Sequence, residues 1–305
     1  MLKKIKNLIA APLMRVLKYK QLQKNCFFVT FVHEGNVKIL LPKLFIGELI
    51  FGYGIYAKKH FYFMGRPHVE ILLRKIIFEL YKINYIDSNN SIIDIGSSVA
   101  DNSLVWAKYL TNNGKIFGID PSLDNINYSK KLSNINNIDN IDWIQAVCSE
   151  KIGDRLIIDN YPSEDAENMS FKIGNSINSL AATTLDEIIT KKNNTKIGLI
   201  HIDVEGFELK VMRGAKKIIT LDKPVLTFEQ HISKEDTSHV FNYLKDFGYR
   251  IFMINEVIPG NELDCRNFIA FHSSKELPNF LNFEEKNLKN LDICQATIGP
   301  GLIEF

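Results

Sequence analysis

Apolar and polar positions alternate in a regular order along most of the chain after residue 90. Short, almost continuous apolar runs are separated by longer segments in which apolar residues recur every third or fourth position. The short runs predict strands at 91–95, 115–119, 141–147, 197–203, 224–230, 249–254 and 267–272. The longer segments predict helices at 102–111, 122–133, 182–192, 205–219 and 234–247. This alternation predicts an α/β fold with a seven-stranded, mostly parallel sheet and helices on both of its faces.

The chain before residue 90 has a different pattern. Two apolar runs, 26–31 and 37–41, flank Glu34-Gly35-Asn36 and predict a hairpin. The segment 45–64 is aromatic and glycine-rich, and it either faces a substrate or packs beneath a loop. A helical stripe of apolar residues then predicts a helix from Val69 to Tyr81.

The pattern divides the chain into three parts. Residues 1–64 form an N-terminal α/β extension with a basic helix, the hairpin and the aromatic segment. Residues 65–275 form the main domain, in which the polar, glycine-containing stretch 151–180 predicts a short hairpin excursion. Residues 276–305 form a weakly patterned tail.

Composition and charge exclude some classes of function and leave others open. The net charge of +2 gives no indication of a nucleic-acid partner. The four scattered cysteines contain no CxxC pair, so we expect reduced thiols, a cytoplasmic protein and no metal ligands. Residues 1–24 are basic, and Glu34 is the first acid. This segment is either a helix with a solvated basic face or a weak, peripheral contact with an anionic membrane. No apolar run reaches the roughly 18 residues that span a bilayer.

Two acids at predicted strand ends indicate a cofactor pocket. Asp94 ends one strand and is followed by Gly96, which lets the backbone approach a ligand, and by a turn that exposes N–H groups at a helix start. Asp120 ends the next strand, where a carboxylate can accept hydrogen bonds from two ribose hydroxyls. We expect Ser97, Ser98 and Ser149 to contribute further contacts. The chain lacks GxGxxG after the first strand, which disfavours a dinucleotide.

Five titratable residues lie at the ends of the predicted strands 197–203 and 224–230. His201 and Asp203 share one face of their strand because side chains alternate, and Glu205 follows in the turn. Glu229 and His231 share a face at the end of the following strand. A carboxylate or neutral imidazole here is suited to act as a general base that takes the proton from an acceptor hydroxyl. A metal held by Asp203, Glu205 and His231 stays a weaker alternative.

These motifs resemble the FkbM-type methyltransferases. The resemblance covers roughly residues 65–272 and rests on five segments: Asp94-Ile95-Gly96, Ala146-Val147-Cys148-Ser149, Thr184-Leu185-Asp186, Asp203-Val204-Glu205-Gly206-Phe207-Glu208 and Gly214-Ala215. It implies a Rossmann-like class I methyltransferase fold, S-adenosylmethionine as cofactor, and O-methylation of a sugar or natural product. The chain departs from the family pattern at Ser97, Ser98 and Ala100 in the first loop, and at His201, where a lysine is common.

Three functions therefore stay open. The first is an S-adenosylmethionine-dependent O-methyltransferase with a small-molecule or glycan acceptor. The second is a catalytically inactive binding module of the same fold, and the altered first loop motivates it. The third is a nucleotide- or NAD-linked sugar-modifying enzyme.

Overall fold

A computed structural model of the chain describes most of the main domain. The described residues are 30–33, 36–40, 48–52, 70–98, 100–158, 171–173, 179–192, 195–231, 237–254, 265–278 and 302–305. The predicted basic helix, most of the aromatic segment and most of the tail lie outside them.

Three short strands lie in the extension, where the sequence predicts a hairpin. They are β1 (Thr30–His33), β2 (Asn36–Leu40) and β3 (Glu48–Gly52), and they form an antiparallel sheet in that order. The third strand falls within the aromatic segment, for which the sequence predicts no strand.

A large sheet of eight strands forms the main domain, one more than predicted. Its members are β4 (Ser91–Ile95), β5 (Ile116–Asp120), β6 (Ile141–Gln145), β11 (Ile197–Ile202), β12 (Val225–His231), β13 (Tyr249–Ile254), β14 (Cys265–His272) and β15 (Leu302–Glu304). The order is β15-β13-β14-β12-β11-β4-β5-β6. Strands β6, β5, β4, β11 and β12 are parallel neighbours, while β14 pairs antiparallel with β12 and β13. The prediction of a mostly parallel sheet is confirmed.

The eighth strand comes from the tail, where the sequence shows only weak patterning. It pairs antiparallel with β13 through Ile254 and Leu302. Leu302 is buried, and Arg250 donates two hydrogen bonds, of 2.7 and 2.9 Å, to the carboxylate of Glu304. A three-residue strand carries too few positions for an alternating pattern to be recognised, which is why the strand count was wrong.

The last residues of one predicted strand belong to a second, smaller sheet. The predicted strand 141–147 stops at Gln145, and the next residues begin a sheet of β7 (Val147–Cys148), β8 (Arg155–Ile158), β9 (Phe171–Ile173) and β10 (Ser179–Thr183). Strands β8 and β9 pair antiparallel, which confirms the predicted hairpin excursion. Strand β10 pairs with β8 and, in parallel, with β7.

Seven helices lie in the described part of the main domain: α1 (Ile71–Lys82), α2 (Asp101–Tyr109), α3 (Leu123–Ile135), α4 (Leu185–Thr190), α5 (Glu208–Gly214), α6 (Lys216–Leu221) and α7 (Ser238–Asp246). The predicted helix 205–219 begins later, at Glu208, and is interrupted at Ala215. None of these helices is long and apolar enough to cross a membrane.

The hydrophobic core lies on both faces of the large sheet. Leu73, Trp106 and Leu199 belong to the cluster on the face of α1 and α2, and Met212 and Phe228 belong to the cluster on the opposite face. Strand order reverses between β4 and β11, so the carboxyl ends of these two strands form the switch point at which such sheets bind ligands.

Candidate active site

The loop after β4 packs directly against the end of β11. Gly96 has φ of +78°, and a Cβ on it would collide with the backbone carbonyl of Asp203. The N–H of Asp203 donates to the carbonyl of Ile95 at 3.0 Å. Gly96 is therefore required by the approach of two strand ends, a reason that the sequence did not indicate. Its contact with a cofactor stays a prediction.

The backbone N–H groups of this loop bind the protein itself. Those of Gly96 and Ser97 both donate to the carbonyl of Ile119, at 2.9 and 3.2 Å, and that of Ser98 donates to Oδ2 of Asp120 at 3.0 Å. The expected row of free donors is therefore not seen here. The hydroxyl of Ser97 is different, because it is buried and has no hydrogen-bond partner in the described part of the chain. A buried polar atom without a partner is unfavourable unless a ligand or water binds it.

Asp94 supplies a buried carboxyl at the start of this loop. It is 2% exposed and accepts a hydrogen bond from the hydroxyl of Ser103 in α2. Burial raises the pKa of Asp94 to about 8, and the negative charges of Asp101, Glu70 and Asp203 add to this effect. A ligand ammonium group beside Asp94 would favour its ionised form.

Asp120 accepts hydrogen bonds from its own neighbouring loops, which the sequence does not predict. Its Oδ1 accepts from the N–H of Ser122 at 2.8 Å and from the amide of Asn125 at 3.1 Å, in addition to the Ser98 bond to Oδ2. Burial raises its pKa to about 6 despite these bonds, which lower it. A carboxylate has about four acceptor positions. Asp120 thus has capacity for one further donor, whereas we expected two ribose hydroxyls.

Ser149 lies with the smaller sheet. Its N–H donates to the carbonyl of Thr183 at 2.9 Å, and its own carbonyl lies where a Cβ on Gly214 would collide. These contacts fix the start of α4 and the end of α5. A cofactor contact from Ser149 stays a prediction.

Three carboxyl groups meet beyond the ends of β11 and β12. Asp203, Glu205 and Glu229 each bring one oxygen within 4.8 Å of the others; we call them the acid cluster. Burial raises the pKa of Asp203, as do the charges of Glu205 and Glu70, while a hydrogen bond with Glu229 and the charge of His201 lower it. A hydrogen bond between two carboxyl groups requires a shared proton. Such spacing also suits a divalent cation, so the prediction of no metal ligand stays untested.

The two histidines take different positions relative to the acid cluster. His231 lies at its rim, with Nε2 3.4 Å from Oε2 of Glu205, and both side chains are partly exposed. His201 is 2% exposed. Its Nδ1 is 2.9 Å from the hydroxyl of Thr227, and its ring packs edge-on against Trp106 at 5.4 Å. The structure thus brings four of the five predicted catalytic residues together, and it encloses His201 beneath them.

A model of the methyltransferase FkbM domain matches residues 94–251, slightly more than half of the chain. The chain belongs to the FkbM methyltransferase family.

Solved methyltransferase structures are similar to this chain at low sequence identity. The methyltransferase FkbM from Methylobacillus flagellatus KT has 16% identity and a TM-score of 0.45, over 60% of this chain and 44% of that one. A SAM-dependent methyltransferase from Aquifex aeolicus has 14% identity and a TM-score of 0.38, over 65% of this chain and 87% of that one. This chain thus spans less than half of the FkbM structure. No curated protein sequence matches it.

The residues that mark the FkbM pattern include several with a structural role. The hydroxyl of Thr184 caps α4 by accepting from the N–H of Glu187 at 3.2 Å. Asp186 accepts from the N–H groups of Lys217 and Ile218, at 2.8 and 3.0 Å, and so caps α6. The Thr-Leu-Asp segment of this FkbM chain therefore joins two helix starts, and a role in chemistry is not needed to explain it.

A buried polar network beside the site was missed by sequence reasoning. Glu70, just before α1, accepts from the amides of Asn102 at 2.9 Å and Asn267 at 3.0 Å. Arg74 binds Asn102 and Asp101, each at 2.8 Å. Burial would raise the pKa of Glu70, but His201, Arg74 and the two amides lower it below its usual value. Glu70 and Asn267 lie outside the matched FkbM residues and are 197 positions apart, so no local pattern could connect them.

Proposed function

We propose that this chain transfers a methyl group from S-adenosylmethionine to a hydroxyl group of a sugar or natural-product acceptor. The observation that supports this proposal is the contact between the two halves of the site. The backbone of Asp203 lies against Ile95 and Gly96 of the cofactor loop, so the acid cluster begins where the cofactor pocket ends.

The residues around β4 and β5 fit the cofactor. Asp94 offers a buried carboxyl for its ammonium group, Asp120 keeps one acceptor position for a ribose hydroxyl, and Ser97 offers an unpaired hydroxyl. Bound S-adenosylmethionine would supply an activated methyl group to an acceptor oxygen.

Asp203 is the group that we expect to take the acceptor's proton. Its raised pKa brings it closer to neutral pH, where a general base is most effective, and it is only partly buried. Glu229 and Glu205 would orient the acceptor hydroxyl by accepting hydrogen bonds. A site edge of carboxylates accepts protons and hydrogen bonds, which suits a hydroxyl-rich acceptor such as a sugar.

Calorimetric titration tests the cofactor first. S-adenosylmethionine and S-adenosylhomocysteine should bind with micromolar affinity, about 8 kcal/mol, and NAD should not bind. Transfer of labelled methyl to a panel of neutral methyl glycosides then tests the reaction, with and without EDTA. Asp203→Asn should reduce turnover and leave cofactor affinity within about twofold. Asp222→Asn is the matched control, because Asp222 accepts from Ile197 at the opposite end of β11.

A second candidate is a module that keeps the fold without turnover. The observation that favours it is the internal pairing of the loop N–H groups of Gly96, Ser97 and Ser98. A folded protein that binds neither S-adenosylmethionine nor S-adenosylhomocysteine would contradict the methyltransferase proposal and support this candidate.

A further inference from the structure

Glu208 is a buried carboxylate next to the acid cluster. It is 2% exposed and begins α5. Its Oε1 accepts from the N–H groups of Val204 at 3.3 Å and Gly206 at 3.1 Å, and its Oε2 accepts from the side-chain amide of Gln230 at 3.0 Å. These bonds use both oxygens of the carboxylate.

The three donors belong to two different strand ends. Val204 and Gly206 lie in the turn after β11, on either side of Glu205. Gln230 lies in β12, between Glu229 and His231. One buried carboxylate therefore connects the two segments that carry the acid cluster and its rim histidine.

The turn after β11 needs such support. Glu205 has φ of +51° and Gly206 has φ of +94°, so two successive residues are left-handed. This conformation is unfavourable for a residue with a Cβ, and it persists only where neighbouring contacts hold it. Two of those contacts are the bonds from Val204 and Gly206 to Glu208.

We propose that Glu208 is the positioning residue of the acid cluster. It fixes Asp203 and Glu205 relative to Glu229 and His231, and it does not itself touch the acceptor. The expected effect of Glu208 on turnover rests on the proposed methyl transfer. Its expected effect on the geometry of the acid cluster does not.

Exchanging the residue types at positions 208 and 230 tests this role. In Glu208→Gln one carboxylate oxygen becomes an NH2 group, so the side chain at position 208 can no longer accept hydrogen bonds from both segments at once. Gln230 keeps a bond to it only by turning its own amide and giving up its bond to the carbonyl of Glu229, at 2.9 Å. In Gln230→Glu two carboxylates face each other. In the double variant the bond runs in the opposite direction, because the amide of residue 208 donates to a carboxylate at residue 230. The pair keeps its total charge, but the native bond from the amide of Gln230 to the carbonyl of Glu229 is lost. Glu208→Asp is a further variant, because the shorter side chain cannot reach both segments.

Two measurements are made on each variant, after thermal unfolding has shown that it folds. The first is steady-state transfer of labelled methyl to whichever neutral methyl glycoside the native protein methylates, together with calorimetric affinity for S-adenosylmethionine. The second needs no acceptor: the ring resonances of His231 in protein labelled with carbon-13 histidine report its contact with Glu205, 3.4 Å away.

We expect Glu208→Gln to lower kcat by about 10- to 100-fold, since small displacements of reacting groups have effects of this size. Cofactor affinity should stay within about twofold, and the His231 resonances should move. The double variant should recover part of both effects, because the bond between residues 208 and 230 returns while the bond to the carbonyl of Glu229 does not. Asp186→Asn is the matched control, because Asp186 also accepts two backbone N–H bonds, at the start of α6. It should change stability but neither kcat nor the His231 resonances.

The outcomes separate the two proposals. Moved and rescued His231 resonances without any methyl transfer would support the positioning role and contradict the proposed function. Unchanged kcat and unchanged resonances in Glu208→Gln would overturn the positioning role. Equal effects in Asp186→Asn would overturn it as well.

Discussion

Replacing Asp94 with Asn is expected to change how the stability of the protein depends on pH. The carboxyl of Asp94 is 2% exposed, and its pKa is raised to about 8 because it is buried. In the unfolded chain the pKa of Asp is about 3.9. The folded state therefore holds a proton that the unfolded chain releases as the pH rises. The stabilisation from this proton is fully present below about pH 4 and is lost as the pH rises to about 8.

The size of the effect follows from the width of this interval. Each pH unit within it lowers the free energy of unfolding of the native protein by up to about 1.4 kcal/mol. The Asp94→Asn variant lacks the titrating group and does not lose this contribution. Between pH 5 and pH 7 the free energy of unfolding of the native protein should therefore fall by about 3 kcal/mol relative to that of the variant. Asn keeps the shape of the side chain and can still accept the hydrogen bond from Ser103.

Urea unfolding at pH 5, 6 and 7 measures this difference. Trp106 and Trp143 both lie in the main domain and provide the fluorescence signal. Asp142→Asn is the control, because the ion pairs of Asp142 with Lys192 and Lys115 hold its pKa below the ordinary value of about 3.9, so Asp142 is ionised in the folded and the unfolded protein from pH 5 to 7. The difference between the native protein and this variant should therefore not change over that range. If the difference between native protein and Asp94→Asn did not change with pH, Asp94 would be ionised in the folded protein and the reasoning from burial would be refuted.

Three further predictions concern the loop, the second acid and the last strand. Gly96→Ala should destabilise the protein by about 2 to 4 kcal/mol in the same urea experiment, because it adds a strained φ and a collision with Asp203. Gly153→Ala is the control, since Gly153 has φ of +88° but open space around it, and it should cost only about 1 kcal/mol. Asp120→Asn should weaken the binding of S-adenosylmethionine about tenfold in calorimetry, since one charge-assisted hydrogen-bond acceptor is lost. An unchanged affinity would mean that Asp120 only holds its own loops and does not contact the cofactor. Leu302→Ala should lower the free energy of unfolding by about 2 to 3 kcal/mol if β15 packs as described, and a neutral effect would contradict that strand.

The strand ends that carry the site could be predicted because each follows a buried apolar run. Asp94, Asp120 and Asp203 stand where such runs stop, and parallel strands bring those positions to one edge of the sheet. Glu229 and His231 follow from the same rule. The partners of these residues could not be predicted in the same way. The hydroxyl of Ser103 donates to Asp94 from a neighbouring helix. Which side chain of that helix forms this bond depends on how the helix packs against the sheet.

The structure gives two residues of the predicted motifs roles that the sequence pattern does not indicate. The sequence predicts that Gly96 lets the backbone approach a ligand, whereas the structure shows that the backbone of Asp203 occupies the space of a Cβ. Glu208 was part of the recognised motif, yet its role depends on Gln230, 22 positions away in β12. Such roles arise from contacts between segments, and alternation of apolar and polar residues within one segment contains no information about them.

The raised pKa values connect the stability of the site with its proposed ligand. Asp94 and Asp203 are both held above their usual pKa by burial, and Glu70 adds unfavourable negative charge to each of them. Arg74 offsets part of this charge, since it lies 2.8 Å from Asp101 and 3.7 Å from Glu70. S-adenosylmethionine carries an ammonium group and a sulfonium group, so it would bring positive charge to the edge where carboxyl groups repel each other. The charges that lower the stability of the protein without ligand are therefore the ones that would favour this cofactor, as expected where function opposes stability.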